Sequence, residues 1–342
     1  MNPNQQLPYQ PPQRKKPHKF FRVFLVVAVV AGVLLALLYR QQLVDQFVVW
    51  QHPATSDITT VGSRAGLNST GIFYLAASRT GIVDRTTFNN ACGSLLNEKT
   101  VILGCYDPAS KRIFVYNIDN QQLDGIRETT ASHEMLHAAY DRLLPYEKLR
   151  IERLLQEQRK KITDQRILDL IASYEQSEPT EIVNELHSIF GTEVRSLTPE
   201  LEQYYRRYFS DRQKVIDLKE KYEQVFSDLE NRQNQLVSEL DNLAASVNTR
   251  SEQYELDLAT FNDDVETFNS WAATAAVSES DFYARRSRLV ARGDELETTR
   301  QGINSDIERY NSLKRELDSL NLQAEELNHN IDSKWAAAPT AL

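Results

Sequence analysis

The feature that most constrains the fold is a stretch without proline. Between Pro199 and Pro339 of this 342-residue chain, only Gly293 and Gly302 break a run of helix-forming residues. Apolar residues recur there every seven positions, which is the spacing of a coiled-coil seam. The members include Tyr222, Leu229, Leu236 and Leu243 before the break, and Leu296, Ile303, Tyr310 and Leu317 after it. Because the pattern lapses only at 272–280, we predict an antiparallel coiled-coil hairpin over residues 200–335, with pairing inside an oligomer as the alternative.

The N-terminus has the pattern of a membrane anchor. Residues 1–19 are rich in Pro and Gln and end in a basic cluster, so we expect a disordered tail. Residues 20–39 include the uncharged run VFLVVAVVAGVLLALLY, which is long enough to span a bilayer. A cleaved signal peptide is the alternative, but no small-residue cleavage site follows. Since the positive charges precede the span, the sequence predicts a single-pass cell-membrane protein with a cytoplasmic N-terminus and extracytoplasmic C-terminal domains.

Charge and cysteine content exclude several classes of protein. The net charge is −9 and the only basic cluster lies in the N-terminal tail, so we expect no nucleic-acid partner. Two cysteines cannot build a four-thiolate metal site. Both Cys92 and Cys105 fall in the part expected outside the membrane, where oxidising conditions favour a disulfide over two free thiols.

Residues 40–199 are predicted to form an α+β domain. Segments such as GIFYLAAS, TVILGCY and RIFVYNID suggest a small β-rich region over residues 57–123. A turn signal at Asp107-Pro108-Ala109-Ser110 predicts a hairpin from about Thr100 to Ile118. Helical periodicity begins at Asp124, and further helix starts are expected at Pro145 and around Pro179.

The sharpest local signal is His133-Glu134-Met135-Leu136-His137. Histidines at i and i+4 share one face of a helix, so both imidazoles can reach one metal ion. A glutamate one step after the first histidine can take a proton from water held by that metal. The neighbouring residues are uncharged, as expected for a helix inside a domain and unlike one facing water.

A third protein ligand is expected from the helix after Pro179. On a helical wheel, Leu186 and Ile189 define its apolar face, Glu185 lies at the edge of that face and His187 points away. Glu185 is therefore the preferred third ligand. Glu193 is the alternative, and the carboxylate that does not bind the metal is expected to orient a ligand.

The HEMLH motif followed by Asn184-Glu185 resembles the gluzincin class of zinc metallopeptidases, over about residues 100–195. The resemblance implies Zn²⁺ bound by His133, His137 and Glu185, with Glu134 as the catalytic base. It also implies a substrate strand, here Ile113, Phe114, Val115 and Tyr116, that binds the peptide backbone by β-addition. The aspartate that follows the third ligand by four residues in several members is Ile189 here. Members of the class also use a histidine or tyrosine to stabilise the transition state. The candidates here are His187, Tyr204, Tyr205 and Tyr208, and the sequence spacing does not favour one of them.

These patterns together predict a small β-region plus a helical zincin-like catalytic domain, between a transmembrane helix and a coiled-coil hairpin. The expected function is zinc-dependent hydrolysis of peptide bonds in a peptide or protein substrate. The alternative is a non-enzymatic surface scaffold or envelope regulator, whose coiled coil binds a partner or a second copy and whose metal site is structural or relict.

Overall fold

A computed structural model describes residues 19–93, 103–274 and 277–333. They form a mostly helical α+β structure with one small sheet, as the sequence predicted. The predicted disordered tail lies outside these residues, except for Lys19. In chain order the elements are α1 (Lys19–Leu38), α2 (Arg40–Gln51), α3 (Ser56–Arg64), α4 (Ser69–Ala77), β1 (Gly81–Val83), α5 (Arg85–Cys92), β2 (Gly104–Asp107), β3 (Arg112–Tyr116), α6 (Ile126–Asp141), α7 (Pro145–Arg159), α8 (Gln165–Ser177), α9 (Ile182–Thr192), α10 (Pro199–Tyr205), α11 (Gln213–Ala272) and α12 (Glu279–Ile331).

The described residues divide into two compact units. The first comprises the chain up to Gly81 together with Tyr106–Ile113 and Ala131–Arg212. The second comprises Ile82–Cys105, Phe114–Thr130 and the chain from Gln213 onward. The boundary predicted at residue 199 is therefore displaced. Helix α10 belongs to the first unit because it carries Tyr205, which is fully buried there.

Helices α1 and α2 follow each other closely at the N-terminus. Within the described residues, no one helix is both long and apolar enough to cross a membrane. Val23–Ala36 and Arg40–Gln51 meet that requirement only as a pair, and the pair bends by 66° at the break between them. Helix α2 then packs on α4 in the first unit.

In the β-rich region predicted over residues 57–123, the described residues contain three α-helices beside the three short strands. The segment GIFYLAAS lies in α4, whose start is capped by Asn68: its Oδ1 accepts hydrogen bonds from the N–H groups of Thr70 and Gly71. The cap and the burial of the helix outweigh the β-propensity of its residues. The predicted hairpin is present as β2 and β3, and the Asp107 carboxylate closes its turn by accepting from Ala109 and Ser110 N–H. Residues 100–102 of that prediction lie outside the described residues.

The second unit contains the predicted pair of long helices. Helix α11 has 60 residues and α12 has 53, and they pack along each other. Arg232 pairs with Glu316, and Arg292 pairs with Asp257. Because higher numbers on one helix meet lower numbers on the other, the two helices run antiparallel. The hairpin starts at Gln213, later than the predicted residue 200.

The open end of the hairpin is anchored by a small apolar core. Leu229 of α11 and Leu327 of α12 pack there with Phe88 of α5. The disulfide predicted between Cys92 and Cys105 is present and lies in this core. It ties the end of α5 to β2, since Cys92 and Cys105 belong to those elements.

The seam of the hairpin gives a stability prediction. Leu236 is completely buried between the helices, whereas Leu256 on the same helix is 65% exposed. We expect Leu236→Ala to lower the free energy of unfolding by about 2 kcal/mol, because it leaves a cavity in the seam. Leu256→Ala is the matched control and should change it by less than about 0.5 kcal/mol. Urea unfolding of the full chain would measure both, and equal effects would contradict the buried seam.

Candidate metal centre

Helix α6 positions the two motif histidines. Around them it presents small and apolar side chains that are buried in the first unit: Ala131, Met135, Leu136, Ala138 and Ala139. The helix is therefore embedded in the unit, as its uncharged sequence predicted. His133 and His137 share one face, and their ring centroids are 4.8 Å apart.

Helix α9 supplies the third group by passing close to α6. At Gly191 the helices approach so closely that a Cβ atom would collide with Leu136 Cδ1 and with the ring of Tyr205. A larger residue at position 191 would therefore require the buried side chains of Leu136 and Tyr205 to shift. Every residue from Glu185 to Thr192 is buried, so the prediction that His187 points away from the core is wrong. A helical wheel assumes that one face of the helix is buried and the other exposed. That assumption does not hold for a helix that is covered on all sides.

Three potential ligand atoms converge between α6 and α9. Glu185 Oε1 lies 3.5 Å from His137 Nε2, and Glu185 Oε2 lies 3.8 Å from His133 Nε2. One ligand atom from each residue falls within 4.8 Å of the other two. Two imidazole nitrogens and one carboxylate oxygen at such spacing could hold a metal ion, with a further position left for water or substrate.

Burial and charge support a cation at this position. Glu185 is 6% exposed, and its Oε2 has no hydrogen-bond partner among the described residues. A buried carboxylate oxygen without a partner is costly, and a bound cation would remove that cost. Burial raises the pKa of Glu185, but the nearby imidazoles of His137 and His133 lower it further, so the net direction is downward.

Thr192 orients the first histidine. Its hydroxyl donates a hydrogen bond to the Ser188 carbonyl at 2.8 Å, and its oxygen lies 3.4 Å from His133 Nδ1. Because the hydroxyl proton is engaged by Ser188, this contact fits the tautomer in which His133 Nδ1–H is the donor. His133 Nε2 then carries the lone pair toward Glu185, as metal binding requires. The sequence prediction missed Thr192, although it lies seven residues after Glu185 and so on the same helical face.

Glu193, the alternative third ligand, takes no part in the cluster. Its carboxylate lies 3.3 Å from Arg166 Nη1, at the end of α9. Glu185, and not Glu193, therefore lies with the two histidines in the cluster that could hold a metal ion, and the residue next to His133 Nδ1 is Thr192. Glu193 follows Thr192 by one residue. One residue rotates a side chain by about 100° around the helix axis, which turns Glu193 away from His133.

The predicted substrate strand has no free edge. Strand β3, which contains Ile113, Phe114, Val115 and Tyr116, lies between β1 and β2 in the sheet. The Asn117 N–H donates to Val83 on one side, and the Tyr116 N–H donates to Leu103 on the other. A peptide could add to β3 only by displacing a neighbouring strand, so the prediction that these residues bind substrate by β-addition is wrong.

The residue predicted to act as the base and the candidate stabilising residues lie on α6, on α9 and in the region of α10. Glu134 lies between the two histidines in the sequence of α6, and its side chain is buried, with 7% exposure. His187 is fully buried, and burial together with the neighbouring His137 lowers its pKa to about 3. Its Nε2 lies 2.8 Å from the Tyr204 hydroxyl, and its carbonyl accepts from Tyr205. Tyr205 and Tyr208 are fully buried, which leaves Tyr204 the most accessible of the three tyrosines.

A buried ion pair fixes the C-terminal end of the motif helix. Arg142 follows α6 directly, and its Nε and Nη2 donate to Asp45 of α2 at 2.8 and 3.1 Å. Its Nη1 also donates to the Ala138 carbonyl on α6 at 2.9 Å. The guanidinium therefore joins α2 to the helix that carries His133 and His137.

We expect Asp45→Ala to lower the free energy of unfolding by about 3–5 kcal/mol, because it leaves the Arg142 guanidinium buried without its counter-charge. Glu157→Ala is the control, since Glu157 pairs with Lys160 on the surface. That substitution should alter the free energy of unfolding by less than about 1 kcal/mol. Urea unfolding of the full chain in detergent micelles would compare them, and an Asp45 effect as small as the control would contradict a stabilising role for the pair.

No protein-family model matches this chain, and neither a curated protein nor a solved structure matches it.

Proposed function

We propose that this chain is a membrane-anchored zinc metallopeptidase that cleaves peptide bonds in extracytoplasmic proteins or peptides. One observation carries the proposal. His133, His137 and the buried carboxylate of Glu185 converge at the helix that also carries Glu134, the second residue of its HExxH motif. Two nitrogens and one carboxylate oxygen are the donor set of many catalytic zinc sites, so zinc is the metal we propose.

Zinc held by these three residues would act as a Lewis acid and make water more acidic. Glu134 would accept the proton of the attacking water and return it to the leaving amine. Tyr204 is proposed to donate a hydrogen bond to the developing oxyanion after exchanging its present partner, His187 Nε2, for the substrate oxygen. Burial keeps its pKa well above the ordinary value, so the hydroxyl is neutral. Thr192 would keep His133 in the tautomer that binds the metal.

The membrane anchor in this proposal is α1. It is the more apolar member of the helix pair that meets the requirement for a membrane span only together. Its large apolar side chains are exposed on every described side, an arrangement that lipid favours and water does not. The disulfide of the second unit favours an oxidising, extracytoplasmic location.

Removal of the metal tests the proposal directly. We expect the purified full chain to contain about one zinc ion and to hydrolyse peptides. Hydrolysis should stop after treatment with a chelator and return when zinc is added, while magnesium should not restore it because the donor set contains two imidazoles. Mass spectrometry of bound metal and cleavage of a peptide library would give both results. A chain that binds no zinc at micromolar concentration would overturn the proposal.

The long hairpin favours a second function, that of a scaffold. We propose that α11 and α12 form a coiled coil that sets reach or binds a partner, because together they make up a large part of the chain and carry exposed apolar residues, among them Leu256 and Leu322. In a genetic complementation experiment, loss of the cellular phenotype in Glu134→Gln would favour the peptidase. Full complementation by that variant would favour the scaffold.

A further inference from the structure

Helix α2 has the reverse of the polarity expected for a helix on a water-soluble protein. Its side facing the protein carries Asp45, which is only 2% exposed. The opposite side carries Leu43, Phe47 and Trp50, which are 60%, 54% and 77% exposed. These three residues are spaced at i, i+4 and i+7, so they form one continuous apolar face. A surface helix in water normally turns its apolar face inward and its charges outward.

The inward position of Asp45 is determined by Arg142. The buried guanidinium binds both carboxylate oxygens, so rotating α2 to hide its apolar face would break a bidentate ion pair. The outward direction of Leu43, Phe47 and Trp50 is therefore a built feature of the first unit. Phe47 and Trp50 also contact each other, with ring centroids 5.9 Å apart.

The position of α2 along the chain indicates what covers this face. Helix α2 begins at Arg40, two residues after α1 ends at Leu38. The chain bends sharply between the two helices. With the apolar α1 inserted in the bilayer, this bend turns α2 away from the direction of α1 and toward the membrane surface. Interfacial helices lie nearly flat, with aromatic and aliphatic residues in the acyl boundary and basic residues among the headgroups.

We propose that α2 is an interfacial membrane helix whose Leu43, Phe47 and Trp50 insert among the upper acyl chains of the bilayer. Arg40 at its start then lies at the level of the lipid phosphates. Through Asp45 and Arg142, the bilayer surface is linked to the end of α6. His137 and His133 lie five and nine residues before Arg142, or about 8 and 14 Å along the helix. The metal centre is thereby held at a fixed, short distance from the membrane.

This placement defines a substrate class, a conclusion that rests on the proposed peptidase function. A metal centre held so near the bilayer meets peptide segments close to the membrane surface at high effective concentration. The substrates are therefore the membrane-proximal segments of anchored proteins. The position of α2 itself does not depend on catalysis.

The depth of Trp50 in the bilayer tests the placement. The chain has three tryptophans, so the full-length variant Trp271→Phe/Trp335→Phe leaves Trp50 as the only fluorophore. It would be reconstituted in phosphatidylcholine vesicles with bromine at acyl carbons 6,7 or 11,12, and in unbrominated vesicles as the reference. We expect stronger quenching by the 6,7-dibromo lipid than by the 11,12-dibromo lipid, and little quenching by aqueous iodide. Far-UV circular dichroism would verify that the variant is folded.

Three results would overturn the placement. Quenching by iodide alone would put the apolar face in water, and no quenching by either agent would mean that protein covers it. Strongest quenching by the 11,12-dibromo lipid would make α2 a continuation of the membrane span.

A second measurement separates the substrate class from the proposed function. We expect a peptide tethered to lipid by a short spacer to be cleaved at least ~10-fold faster than the same peptide in solution, and the advantage to shrink as the spacer lengthens. If neither peptide is cleaved and no zinc is bound, the peptidase proposal fails while the Trp50 result still stands. If both peptides are cleaved equally, the peptidase proposal stands and the membrane-proximal substrate class is overturned.

Discussion

Glu134→Gln should lower the rate of peptide hydrolysis by about 10²–10⁴-fold and leave the zinc content unchanged. Glutamine has nearly the shape of glutamate, so the packing of α6 is preserved, but its amide cannot accept the proton of the attacking water. The effect should appear in kcat, because the interaction matters chiefly in the transition state. Peptide cleavage assays and metal analysis on the same preparation would measure it.

Glu181→Gln is the control for that experiment. Glu181 lies on the surface immediately before α9 and outside the ligand cluster, so the same loss of one carboxylate should leave kcat unchanged. Normal hydrolysis by a zinc-loaded Glu134→Gln protein would rule out Glu134 as the base. Loss of zinc from that protein would instead make Glu134 a ligand.

Glu185→Gln should weaken zinc binding by at least ~100-fold, because it removes the only negative charge among the three ligands. The matched control is Glu193→Gln, which alters the other carboxylate considered for this role. Since Glu193 pairs with Arg166, zinc affinity should be unchanged in that variant. Competition with a chromogenic chelator would measure both dissociation constants.

The same pair of variants should differ in stabilisation by zinc. A ligand present at 100 times its dissociation constant stabilises the folded state by about 2.7 kcal/mol. We therefore expect zinc to raise the melting temperature of the wild type and of Glu193→Gln, but not that of Glu185→Gln at the same concentration. The opposite pattern would identify Glu193 as the ligand and contradict the geometry of α9.

The metal cluster shows which site residues the helical periodicity of the sequence can predict. The i and i+4 spacing places His133 and His137 on one face in any α-helix, so their pairing follows from backbone geometry alone. The preference for Glu185 over Glu193 came from the apolar face of the next helix, and the structure brings Glu185 to the two imidazoles. Thr192 was missed because a hydroxyl becomes informative only once its neighbour across the helix crossing is known.

The β-region shows where local propensity misleads. GIFYLAAS has the composition of a strand, yet Asn68 caps it as a helix and the packing of α4 stabilises that state. The middle position of β3 in the sheet was equally inaccessible to pattern analysis, because strand order depends on which distant segments pair. That order removes the predicted substrate edge.

The sequence alone determined the long helices, the break between them at 272–280 and the paired histidines, since each depends on residues that are close in the chain. Only the tertiary structure decided which unit α10 joins, which side of α2 faces outward and which carboxylate meets the histidines. These depend on contacts between residues far apart in sequence, such as Asp45 with Arg142, whose burial makes an ion pair outweigh the exposure of three apolar side chains.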